Sequence, residues 1–492
     1  MSQAEPIALT APVVPVVPVV PVVPVRAAPR KAPSKEERAQ TDPKRFALLA
    51  AQLAGFTLLA YFLEKSYFSL FLVTFVGFCI HYWLPFRIKE PFWFAFSLIG
   101  TVVFTAEIAG IKVALIAVTL TVIVGLLVYA IFASPLSYWL RVLGVAAVFG
   151  VFIGWGAFGK GIVRPPVGFF AVFGSAFSFR IFPYLYEAKH FKTRPSLHEF
   201  VRYFFMMPGF KLQTVDFQKL GQSFYQRDIN VVAQQGMRWI ARGALQYTVW
   251  TFTHDRVHWV TSPNKHLSAL GVLAHLGLVY TLYLSVSSRI HVFVGIMHLF
   301  GYDLPEPYRW FAFAHSPLDF WRRANIYWKD IMLKVVFMPV YFSVRKRGDT
   351  MAKLLAITAV FVTTWFLHIW NDSWKVQLSE PFWKAMYTSP QQIIFWGSYG
   401  ALCAGNLLLE IRAERAAANT PKKRLLPKVT PPANLFEAAR RYVVERIGAP
   451  VGMHPLRVVV QIFTLQVVVS ALFSLRHAPS THAWYYTIAF WR

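Results

Sequence analysis

Residues Phe361–Trp374 read "FVTTWFLHIWNDSW" and carry one imidazole, His368, at the end of an apolar run, followed by Asn371 and Asp372. Upstream, "SPLDFWRRANIYWKD" sets an amide, Asn325, directly after Arg322, Arg323 and Ala324. Ionisable groups at membrane depth are costly and are functional candidates by default. A neutral imidazole can take a proton from a hydroxyl, and an amide can donate to a developing oxyanion; together these suit base-assisted acyl transfer. Arg322 and Arg323 are bidentate donors of the kind that hold phosphates, and equally the kind that snorkel at an interface. Desolvation disfavours the charged imidazole, which keeps it available as a base. Alone, His368 would be as well explained by packing; its company gives it meaning.

The elements that must position these groups are helices in lipid. The chain has 492 residues, of which 56% are hydrophobic and only 15% charged, and its mean hydropathy is +0.44. Soluble domains carry about 25% charged residues. Several continuous apolar runs reach the ~20 residues needed to cross hydrocarbon, and they lack the two-residue alternation of a membrane barrel. Spans are expected at 46–64, 66–85, 91–108, 111–134, 137–158, 166–187, 267–287, 351–370, 390–411 and 456–475. The mixed segment 188–265 reads as amphipathic or re-entrant helices, and 288–350 as a half-polar stretch. The 17 Trp and 21 Tyr suit helix ends at the water boundary.

Charge sets an orientation. Basic residues concentrate in 412–457 and in 322–353, and both are expected on the cytoplasmic side. Helix 351–370 then runs outward, His368 lies in its outer half, and Asn325 starts near the inner face. The repeat "VVPVVPVVPVVPV" in the first 45 residues blocks a helix and favours an extended form, so 1–45 reads as a cytoplasmic tail.

Other motifs carry less. "GWGAFGKG" copies part of a phosphate-binding loop but has Gly161 where Ser or Thr must hold magnesium. "HDRVH" spaces His254 and His258 for zinc, yet Asp255 stands where the peptidase motif has Glu, and no third ligand is evident; no metal is expected. The two cysteines, Cys79 and Cys403, lie in apolar runs and suggest no disulfide framework. The net charge of +27 favours anionic lipids or a phosphorylated donor over nucleic acid, because no basic stripe lies outside the membrane pattern.

Four stretches in order resemble the membrane-bound O-acyltransferases: "VRYFFMMPGF", "GMRWIARGALQYTVW", "HLFGYDLPEPYRWFAFAHSPLDFWRRANIYWKD" and "TTWFLHIW". The third is the strongest. It is similar to the bacterial branch that includes the D-alanyl transfer protein of teichoic acid and the alginate O-acetylation protein. The resemblance covers about residues 200–375. His368 matches the family's histidine and Asn325 its second polar position. The bacterial "RRWH" is "RRAN" here, and Ile369 stands where a glycine usually follows the histidine.

The resemblance implies an all-α polytopic membrane protein of the inner membrane, with about 9–12 transmembrane or re-entrant helices around a central tunnel. The expected organisation is a 1–45 tail, N-terminal membrane helices over 46–187, an acyltransferase core over 188–411, a basic cytoplasmic loop over 412–455 and a last helix and tail over 456–492. It implies His368 as general base, Asn325 as partner, no permanently bound cofactor, and acyl-CoA or another acyl thioester as donor. The acceptor would be a hydroxyl of an exported glycan or lipid, reached directly or through a periplasmic acyltransferase partner. A transporter is the alternative from another class, though no repeated halves are present to support it. A scaffold of a glycan-export complex without activity is the third.

Overall fold

A computed structural model describes residues 33–63, 65–158, 178–191, 194–205, 215–257, 269–375, 390–418 and 455–477. The 1–32 part of the tail, most of the 412–455 loop, residues 206–210 of "VRYFFMMPGF" and His258 of "HDRVH" lie outside the described residues. The described residues are helical, with one isolated bridge between Phe224 and Tyr302.

The N-terminal helices follow the apolar runs closely. They are α1 (Lys35–Arg38), α2 (Pro43–Leu63), α3 (Lys65–Trp83), α4 (Phe86–Ala109), α5 (Ile111–Ala133) and α6 (Tyr138–Phe158). Next come α7 (Ser178–Ala188), α8 (Leu197–Phe205) and α9 (Phe217–Ser223). Among the described residues, five helices hold stretches long and apolar enough to cross a membrane, beginning at Pro43, Ile111, Tyr280, Asp349 and Gln392, and three shorter apolar helices accompany them. The chain is thus a helical protein with the makings of a membrane protein.

The mixed segment is more regular than its composition suggests. Ile229–Val257 is one continuous helix, α10, rather than re-entrant pieces. It packs along α11 (Ala269–Leu299), which outruns the expected 267–287 span. Small residues permit the close approach: a Cβ at Gly243 would stand 2.7 Å from the Ser288 carbonyl oxygen, and one at Gly295 2.6 Å from the Ile240 side chain. Between membrane helices such contacts are a main source of packing energy.

The half-polar stretch resolves into an irregular loop and helices. The loop after α11 leads to α12 (Pro317–Arg323) and then to α13 (Ile326–Met332), which continues through a π turn at Leu333–Phe337 into α14 (Met338–Val344). A turn at Arg345–Arg347, closed by Gly348 at φ 117°, reverses the chain into α15 (Asp349–Lys375). Then follow α16 (Pro390–Ala418) and α17 (Pro455–His477).

Two contacts zip α13–α14 against α15. Trp328 Nε1 donates to Thr364 Oγ1 (3.3 Å), and Tyr341 Oη donates to Asp349 Oδ1 (2.7 Å). Ile326–Val344 is about 28 Å long at about 1.5 Å per residue. Asn325 therefore does not start beside the basic turn at 345–347. It lies at the opposite end of the hairpin, level with the end of α15 that carries His368. The charge count over 322–353 misled because a helix of near-membrane length separates Arg322 and Arg323 from Arg345–Arg347.

One apolar core joins α2–α7 to α8–α11. A second gathers Tyr308, Phe311, Phe320, Phe361, Trp396 and Tyr399 between the irregular loop, α15 and α16. The site lies beside this second core.

Candidate functional site

Asn325 is held by its neighbours on three sides. Its backbone is left-handed (φ 43°, ψ 68°), and its side-chain oxygen accepts from Trp328 N–H (3.2 Å), capping α13. Asparagine tolerates this conformation better than most residues and is among the best N-caps. Ile326 N–H donates to Pro307 O (2.8 Å), and Arg309 N–H to Arg323 O (2.9 Å), so the strands of loop on either side are tied together. Tyr327 Oη donates to Pro305 O (2.7 Å). Because the amide oxygen faces the helix end, the NH2 is the part of the side chain left to act as a donor elsewhere.

His368 hangs from α15. Its Nδ1 lies 2.8 Å from the Thr364 carbonyl oxygen one turn back. A carbonyl only accepts, so Nδ1 carries the proton in the neutral ring and the lone pair belongs to Nε2. The imidazole packs edge-on against Trp328 (ring centroids 5.5 Å) and tilted against Trp396 of α16 (4.6 Å). Trp328 thus touches both polar residues: its backbone N–H holds the Asn325 oxygen, its ring meets His368, and its indole N–H is fixed by Thr364, which is fully buried.

His368 and Asn325 line one cavity of about 210 Å³. Its walls include Phe179, Val286, Phe320, Leu367 and Phe395, with the tyrosines Tyr283, Tyr308 and Tyr399 and the indoles of Trp321, Trp328 and Trp396. An engineered apolar cavity of ~150 Å³ accepts benzene, so a short acyl group fits here. An apolar wall with a few converging polar groups is the common form of a small-molecule site.

The two arginines stand elsewhere. Arg322 makes a bidentate pair with Glu410 of α16 (3.1 and 2.8 Å), and Arg323 Nε donates to Asp319 Oδ1 (2.8 Å). Neither lines the cavity. Asp319 Oδ2 also accepts from the backbone N–H of His315 (3.3 Å) and lies 2.9 Å from His315 Nδ1. Burial raises the Asp319 carboxyl, but the hydrogen bonds from His315 and Arg323 and the Arg323 charge outweigh it and hold the group below its ordinary value. The arginine pair therefore braces the loop that presents Asn325.

Trp321 and Trp328 line the cavity. Thr364 and Trp396 were not singled out. Thr364 lies one helical turn before His368, a spacing that could have flagged it; Trp396 comes from a distant apolar span and gave no signal. Among the described residues, no group of three or more His, Cys, Asp or Glu side chains could hold a metal ion. No protein-family model matches the chain, and no curated protein matches it.

Proposed function

We propose that this protein is a membrane O-acyltransferase, as its resemblance to the membrane-bound O-acyltransferases suggests, and that it moves a short acyl group from a thioester to a hydroxyl. The observation that supports the reading is the shared cavity: an imidazole with its lone pair on Nε2 and an amide with a donor NH2 face one apolar space. The acceptor O–H attacks the thioester carbonyl carbon, and its proton passes to His368 Nε2. The resulting oxyanion takes a hydrogen bond from the Asn325 NH2. Collapse breaks the C–S bond, and the leaving thiolate recovers the proton from His368. The products are an ester and a free thiol, with the base restored.

Base assistance of this kind contributes about 10²–10⁴-fold. The apolar wall strengthens each polar interaction inside it by excluding water. On this reading the donor is acyl-CoA or a similar thioester and the acceptor an exported glycan or lipid.

The test uses His368→Ala in the full-length protein, in membrane vesicles supplied with labelled acyl-CoA, together with mass spectrometry of surface glycans and lipids. Transfer is expected to fall by at least about 10²-fold, with normal membrane insertion and unfolding temperature. Transfer at the wild-type rate would refute the role of His368.

A further inference from the structure

An arginine of α11 lies outside the His368 cavity. Arg289 stands midway along the apolar span Tyr280–Leu299 and is exposed. Among the described residues it makes no hydrogen bond or ion pair, whereas Arg227, Arg242, Arg322 and Arg323 all pair with carboxylates. A charged side chain in such a span usually faces the protein interior, or pairs, or reaches toward water. Arg289 instead borders an apolar groove formed with Phe56 and Leu59 of α2, Phe71 of α3, Tyr247 of α10 and Val292. The Tyr67 and Tyr247 rings meet edge-on across it at 5.7 Å.

The depth of the groove is set by α2. Leu59 and Ala60 belong to the last turn of that helix, just before α3 begins at Lys65. A guanidinium at that level can extend along the apolar stem of its own side chain toward the headgroup layer at the α2–α3 end. The opposite end of α2 carries Lys44 and Arg45 and follows Lys35 and Arg38.

We propose that this groove binds one anionic phospholipid from the leaflet at the α2–α3 end, with an acyl chain along the Phe56–Phe71 wall and the headgroup phosphate on Arg289. Charge complementarity selects the occupant: the groove offers apolar surface for a hydrocarbon chain and a cation, Arg289, with no counter-ion among the described residues. The small residues Gly243 and Ala244 of α10 keep the floor open, because a larger side chain there would meet the α11 backbone or fill the slot. The site is separate from the His368 cavity, with which it shares no lining residue.

The full-length protein in detergent is titrated with phosphatidylglycerol or phosphatidylcholine and read by native mass spectrometry. Wild type is expected to retain one phosphatidylglycerol in preference to phosphatidylcholine. Arg289→Gln is expected to weaken that retention about fivefold, the ratio given by about 1 kcal/mol per basic side chain near a lipid surface, and to leave phosphatidylcholine retention unchanged. Arg289→Lys is expected to keep most of the preference. Equal retention of the two lipids by wild type, no change in Arg289→Gln, or parallel loss of both lipids in that variant would each overturn the proposal.

Discussion

Asn325 does two jobs on this reading, and they can be separated by substitution. Its oxygen caps α13, its backbone sits in the left-handed region, and its NH2 is the proposed oxyanion donor. Asn325→Gly keeps the backbone conformation without strain and costs only a few tenths of a kcal/mol as a cap. Asn325→Ala loses the cap, about 0.5–2 kcal/mol, and adds the left-handed penalty of about 1–2 kcal/mol, so it should destabilise by about 1.5–4 kcal/mol. Both remove the donor, a loss of about 10²–10³-fold in turnover for an oxyanion contact. Asn325→Asp preserves an acceptor for Trp328 N–H but offers no donor and brings negative charge to the oxyanion. The expected pattern is that Gly and Asp unfold near the wild-type temperature, Ala unfolds lower, and all three lose transfer. Unfolding in detergent is followed by tryptophan fluorescence, and transfer by labelled acyl-CoA in vesicles. Wild-type turnover in Asn325→Gly would show that the residue is only a cap and would refute the donor role.

Other consequences follow from the neighbours. Thr364→Val leaves the buried Trp328 indole N–H without its acceptor, so a loss of about 1–3 kcal/mol is expected, with lower turnover because that ring abuts His368; unchanged stability and turnover would argue against this bracing. Arg322→Gln breaks a half-exposed pair with Glu410 and should cost no more than about 1 kcal/mol, with the Michaelis constant for the thioester unaltered; a large rise would return Arg322 to the donor site. The Asp319 carboxyl is held below its ordinary value of 3.8 in the folded protein. Its contribution to stability is thus present above that value and is lost as pH falls below it toward the folded value. Hydrogen exchange over residues 309–325 should rise across that acidic window in wild type, and Asp319→Asn should show faster exchange already at neutral pH.

The local signals were strong where one helix or one turn sufficed. Continuous apolar runs placed the ends of α2 to α6 and of α15 to within a few residues, because a helix in lipid must satisfy its own backbone and needs a set length. Ser316 followed by Pro317 announces the start of α12, and Asn325 is both a cap and a left-handed residue by type. The mixed composition of 188–265 obscured the 29-residue α10, whose Gly236 and Gly243 find their reason only in the α11 backbone packed against them.

The sequence by itself determined that the chain is helical and apolar, and it picked out His368 and Asn325 as the polar residues worth asking about. Tertiary structure alone decided that they share a cavity. The α13–α15 hairpin carries Asn325 back to the level of His368, whereas counting basic residues put the two at opposite ends. The same packing drew Arg322 and Arg323 into carboxylate pairs outside that space and brought Trp396 to the imidazole. Linear spacing fixes what lies on one helix, but the partners of a side chain depend on which helices pack together and where the chain reverses.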